Sequence, residues 1–102
     1  MLLREKDKQT LLNIFQDINL PIEIWAYGSR VNGKAHSGSD LDLVVRTKNL
    51  TPLNLNEYID LKQKIQISNI PILVEILDWA RLPPSFHKNI QQNYEVLFNN
   101  II

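Results

Sequence analysis

Gly28-Ser29-Arg30-Val31-Asn32-Gly33-Lys34-Ala35-His36-Ser37-Gly38-Ser39-Asp40-Leu41-Asp42-Leu43-Val44-Val45 is the stretch from which the rest of the chain can be read. Gly28 stops a short β-prone run, Ile22-Glu23-Ile24-Trp25-Ala26-Tyr27. After ten intervening residues comes Asp-x-Asp, on the threshold of a second apolar run, Leu41 to Arg46. Side chains on a strand alternate, so Asp40 and Asp42 share one face while Leu41, Leu43 and Val45 share the other. Two neighbouring carboxylates repel and resist joint ionisation unless a cation lies between them. This pattern points to a divalent metal.

Outward from that stretch, apolar residues change period. Leu11, Ile14, Phe15 and Ile18 follow helical spacing and predict a helix over residues 4–19, ended by Pro21. Residues 30–35 form a short helix or tight turn before the loop signals Gly33 and Ser37-Gly38-Ser39. Leu55, Tyr58, Ile59, Leu61 and Ile65 predict a helix over residues 54–66. Pro71 to Leu77 reads as a third strand, with proline tolerated at its first position and Glu75 as a charge within it. After Pro83-Pro84, Ser85 is a candidate N-cap, and Phe86, Ile90, Tyr94 and Leu97 predict a last helix. The expected fold is α/β in the broad α+β sense: a small three-stranded sheet flanked by helices, with strand directions open.

The 102 residues suffice for one domain, residues 1–102, with a modest core. Eleven basic and eleven acidic residues cancel, which gives no overall drive toward nucleic acid or an anionic membrane. Cysteine is absent, which excludes disulfides and thiolate zinc sites. The early charges Arg4, Glu5, Lys6, Asp7 and Lys8 do not suit a signal peptide, and no apolar run reaches the ~20 residues of a membrane span. A cytoplasmic protein is expected.

Two features add to the Asp pair. Gly28-Ser29 at a strand end allows a phosphate close to the backbone, where amides opening the next helix can hold it. Glu75, on another strand of the same sheet, can come beside Asp42. Three carboxylates with an open position suit Mg2+ and phosphoryl or nucleotidyl transfer. Asp78, three positions beyond Glu75, points to the opposite face and reads as a turn or cap residue. Trp25 and Trp79 read as core, and His36 and His87 as surface residues without metal-ligand spacing.

Gly28-Ser29, ten residues, Asp40-x-Asp42 resembles the signature of the nucleotidyltransferase superfamily that includes DNA polymerase beta. The wider string Trp25 to Ala35, with Ser39 to Leu43, Val74 to Trp79 and Ser85-Phe86, is closer to the minimal nucleotidyltransferases, antitoxins partnered with HEPN-domain ribonuclease toxins. The resemblance implies a nucleotidyltransferase fold with a mixed sheet. It implies Asp40, Asp42 and Glu75 as catalytic, Mg2+-binding carboxylates, and Gly28, Ser29 and Arg30 as contacts to the nucleotide phosphates. Glu75 stands where the family pattern usually has aspartate. The implied reaction is transfer of AMP from ATP to a hydroxyl, a tyrosine of the HEPN toxin, within a hetero-oligomer and without direct nucleic-acid contact. The alternative is a non-catalytic antitoxin that neutralises the toxin by complex formation.

Overall fold

The computed structural model describes residues 1–101. The chain runs α1 (Glu5–Ile18), β1 (Ile22–Tyr27), α2 (Ser29–Asn32), β2 (Leu41–Thr47), α3 (Leu55–Gln66), β3 (Val74–Asp78), a 3-10 turn (Trp79–Arg81), α4 (Pro84–Gln92) and β4 (Tyr94–Asn99). The sheet order is β3-β2-β1-β4. β1 pairs antiparallel with both β2 and β4, and β2 pairs parallel with β3. The sheet is therefore mixed, and α3 supplies the crossover that a parallel pair requires.

Each boundary has a local cause. Asn19 adopts a left-handed conformation (φ 57°) and donates to the Gln16 carbonyl, ending α1 two residues before Pro21. The Asn54 side chain accepts from the amides of Asn56 (3.0 Å) and Glu57 (3.4 Å) and caps α3. Pro84 occupies the first turn of α4, where a missing N–H does no harm, with Pro83 rather than Ser85 at the N-cap position. Pro71, Ile72 and Leu73 lie outside the third strand, although the Leu73 carbonyl already accepts from the Leu41 amide at 2.9 Å.

Alternation along the strands divides the interior. Ile22, Ile24, Ala26, Leu41, Leu43, Val45, Ile76 and Leu97 pack with Leu11 and Phe15 of α1 and with Leu61 and Ile65 of α3. On the opposite face Trp25 and Val44 pack against Trp79 and Ile90, so the 3-10 turn and α4 cover part of it. Arg46 extends this second cluster: its guanidinium lies 4.0 Å from the Trp25 ring and 4.6 Å from that of Trp79, and Nη1 bonds Glu23 at 2.7 Å. The tryptophans are core residues, as expected of their type. His87 is no plain surface residue. It stacks on Trp79 at 3.9 Å, and its Nε2 donates to the Trp79 carbonyl at 2.6 Å.

The sheet has four strands where three are expected from sequence. The spacing Phe86, Ile90, Tyr94, Leu97 suits a helix, but α4 stops at Gln92 and Asn93 is extended (φ −157°). Tyr94-Glu95-Val96-Leu97-Phe98 is also a β-prone run, and β1 has a free edge for it to fill. The Tyr94 ring then stacks on Trp25 at 3.8 Å, while Leu97 turns into the core. Tertiary pairing overrides a helical spacing that one turn of sequence cannot distinguish from a strand.

Candidate active site

β1 ends at Tyr27, and Gly28 turns the chain with φ 80° and ψ −156°, a conformation open to glycine. Its carbonyl accepts from the amides of Val31 (3.0 Å) and Asn32 (3.1 Å), which starts α2. A Cβ at this position would stand 2.6 Å from Asp42 Oδ2. Glycine is required here twice, for its backbone and for the carboxylate pressed against it. The turn that opens at Gly28-Ser29 and the acid that opens β2 thus form one surface.

Strand register assembles the acids. Asp42 pairs with Tyr27 across β1 and β2, and with Glu75 across β2 and β3. Its neighbours Leu41 and Leu43 are buried on the α1–α3 face, so Asp42 lies on the other face. Burial pushes the Asp42 carboxyl above the usual carboxylate range, and the charges of Glu75 and Asp40 push it further. Asp40 and Glu75 are exposed. Among the described residues no cationic side chain bridges Asp40, Asp42 or Glu75. Nor do three or more His, Cys, Asp or Glu side chains converge tightly enough to enclose an ion. The acids line an open edge with negative charge.

Asp78 faces away from Glu75. It is buried and accepts from the Leu53 amide (2.9 Å), the Ala80 amide (3.2 Å) and Arg81 Nε (3.1 Å). It caps the 3-10 turn and holds the chain before α3, the structural role its phase suggests.

Arg30, expected at the nucleotide phosphates, is directed inward. Its side chain is buried, with the residue 5% exposed. Nε (2.9 Å) and Nη2 (2.7 Å) donate to the Ser39 carbonyl, Nη2 also to that of Ser37 (3.0 Å), and Nη1 to that of Leu2 (2.6 Å). A side chain so held is directed into the loop before Asp40. Ser29 opens α2 and lines a cleft of about 270 Å3 with Leu2, Gly33 and Ala35. A larger cavity of about 460 Å3, between the N-terminal segment and Pro71-Ile72, contains none of the three acids.

Tyr27 is the residue the sequence reading passed over. It is half-buried beside Asp42 and meets Phe86 of α4 edge-on at 6.1 Å. Burial, then the charges of Asp42 and Glu75, push its phenol up to about 12. It is therefore a neutral donor at physiological pH. Its signal in sequence was phase alone, two positions from Trp25 on the same strand face.

A mixed sheet that brings a Gly-Ser turn against an Asp-x-Asp strand has the frame of a nucleotidyltransferase. A family profile described as "Polymerase beta, Nucleotidyltransferase" matches residues 9–101. The chain is 33% identical over 95 residues to the "Probable protein adenylyltransferase MntA" of Haemophilus influenzae, covering 93% of this chain and 82% of that protein. The chain belongs to the polymerase beta nucleotidyltransferase family, among its minimal, MntA-like members. Solved structures share the fold at low identity. A toxin-antitoxin complex with AMP-PNP superposes with TM-score 0.72 at 19% identity, covering 91% of this chain and 73% of that one. A complex of tri-AMPylated Shewanella oneidensis HEPN toxin with its MNT antitoxin gives 0.69 at 16%, covering 96% and 74%.

Proposed function

We propose that this protein is a Mg2+-dependent nucleotidyltransferase that moves AMP from ATP to a hydroxyl of a HEPN-domain toxin, a tyrosine, and so acts as its antitoxin. Residues 1–102 would act as one minimal domain, in the cytoplasm. The observation that carries the reading is the contact between halves of the motif: the Asp42 carboxylate presses so close to Gly28 that a Cβ there would stand 2.6 Å from its Oδ2, and Glu75 stands beside Asp42 in register. The MntA relative and the AMPylated toxin complex support the choice of AMP and acceptor.

The donor set fits a hard cation. Asp42 resists ionisation because burial and two acids oppose its charge, and a divalent ion removes that opposition. Mg2+ commonly binds through one or two carboxylates plus substrate phosphates, which suits an open row of acids rather than a closed cage. When bound, the ion supplies charge stabilisation for the leaving pyrophosphate and lowers the pKa of the attacking hydroxyl. The chain's own residues do the rest. Asp40 and Asp42 would hold the metal, Gly28 and Ser29 would let the phosphates approach the backbone, and Glu75 would serve as a further metal ligand or as proton acceptor from the attacking hydroxyl. Tyr27 and Phe86 wall the adjoining side of the site.

Purified protein incubated with α-labelled ATP, Mg2+ and the partner toxin tests this. Label on the toxin that is abolished by Asp42→Ala supports transfer. Glu75, where the family pattern usually has aspartate, supports a second reading, a non-catalytic antitoxin. Toxin inhibition without label, unchanged in Asp42→Ala, would establish that instead.

A further inference from the structure

We propose that Arg30 is a positioning residue: its buried guanidinium fixes the loop that delivers Asp40 and Asp42 to the Gly28-Ser29 turn, and it does not meet phosphate. The inference rests on the transferase reading above for its catalytic consequence, and on geometry for its structural one.

Arg30 rides on α2, immediately after the Gly28-Ser29 turn, and is 5% exposed. Two of its N–H groups, on Nε and Nη2, converge on the Ser39 carbonyl at 2.9 and 2.7 Å. That carbonyl belongs to the peptide whose N–H is Asp40's, so the guanidinium holds the peptide plane directly before the first acid. A third bond, to the Ser37 carbonyl at 3.0 Å, holds the chain three residues before Asp40. The loop is shaped to receive these bonds. Ser39 N–H donates to the His36 carbonyl (3.0 Å), His36 N–H to Ser39 Oγ (3.1 Å) and Gly38 N–H to His36 Nδ1 (3.1 Å). This closed turn turns the carbonyls of Ser37 and Ser39 toward Arg30. The fourth bond, Nη1 to Leu2 at 2.6 Å, is answered by the Leu2 amide donating to the Arg30 carbonyl at 2.9 Å, so the N-terminal segment braces the same side chain.

One side chain therefore sets the distance between the phosphate turn and the metal acids. Four donor bonds to neutral carbonyls leave the guanidinium no free planar edge with which to clasp a phosphate. Lysine keeps the charge but offers a point donor instead of a planar fork, so it cannot reproduce the paired contact at Ser39. Misplacing catalytic groups by about 1 Å costs on the order of 100-fold in rate.

The test compares wild type with Arg30→Lys, both full-length. In metal-free protein, hydrogen exchange over residues 36–41 should speed up at least ~10-fold in the variant, while the amides of β1 and α3 exchange as in wild type. In toxin labelling, kcat should fall about 30- to 100-fold with KM for ATP within about threefold. Unchanged loop exchange, or an effect confined to KM for ATP, overturns the proposal. A wild type that labels nothing defeats the transferase reading while the exchange result still stands or falls alone. If Arg30→Lys does not fold, 15N NMR of the wild type decides. The Arg30 Nε–H resonance should be visible and slowly exchanging before nucleotide is added, and unmoved by ATP. A resonance that emerges or shifts only with ATP overturns the proposal.

Discussion

Gly28 carries the strictest demand of any single residue in the site. Gly28→Ala adds a Cβ 2.6 Å from Asp42 Oδ2 at a φ of 80°. The backbone strain costs about 1 kcal/mol or more. The displaced carboxylate should cost about 100-fold or more in toxin labelling, measured as kcat/KM, with a melting temperature several degrees lower. Asp42 should behave in the opposite sense for stability. Its folded-state pKa lies above its unfolded value, so the native state holds the proton more tightly, and stability falls as pH rises through the carboxylate range. Asp42→Asn should therefore melt a few degrees higher than wild type at neutral pH in chelator, a gain that fades in acid and is erased for wild type by added Mg2+. Scanning calorimetry at several pH values reads this directly. Tyr27 follows the same sign at the alkaline end. With its phenol pushed up to about 12, stability declines as pH rises from the ordinary tyrosine value toward that point. The absorbance change of phenolate formation should lose its latest component in Tyr27→Phe, while the upward-shifted Tyr58 remains.

The elements show where sequence was sufficient and where it was not. β1 lies over Ile22–Tyr27, as its β-prone run between Pro21 and Gly28 indicates, and Asp40-x-Asp42 opens β2. Those signals are local: residue type, proline, glycine and period two. Glu75 came beside Asp42 by a parallel pairing that no local signal encodes, although its charge in an apolar run marked it out. The direction of the Arg30 side chain could not be read from its motif position, because the inward carbonyls of Ser37 and Ser39 decide it. β4 was hidden because Phe86, Ile90, Tyr94 and Leu97 satisfy helical spacing, and only the free edge of β1 selects the strand. Leu97→Ala distinguishes these assignments energetically. As a buried strand residue touching the main core it should cost about 2–4 kcal/mol in denaturant unfolding, against a small effect at an exposed helix end. Asn54→Ala should cost about 1 kcal/mol by removing the cap of α3, without effect on labelling at temperatures well below melting.

At the scale of the whole molecule, the two faces of the sheet divide the work. α1 and α3 bury one face and supply most of the core, while the other is covered by α4 and the 3-10 turn only in part. Asp42 sits beyond that cover, at the end of the sheet where β2 and β3 begin and β1 ends. No helix among the described residues is long and apolar enough to cross a membrane. The division leaves the acid edge open without thinning the core that supports it.

The place of β4 has a consequence for how the protein is made. β1 is complete early in synthesis, yet the strand that closes its second edge, Tyr94–Asn99, emerges from the ribosome long afterwards. Until then Trp25 lacks the ring that stacks on it, and the backbone of β1 offers an unpaired edge to any neighbouring chain. Long-range pairing of this kind folds late and leaves the nascent chain prone to aggregate. Co-translational proteolysis of stalled chains should show residues 22–27 becoming protected only after residue 99 has cleared the exit tunnel.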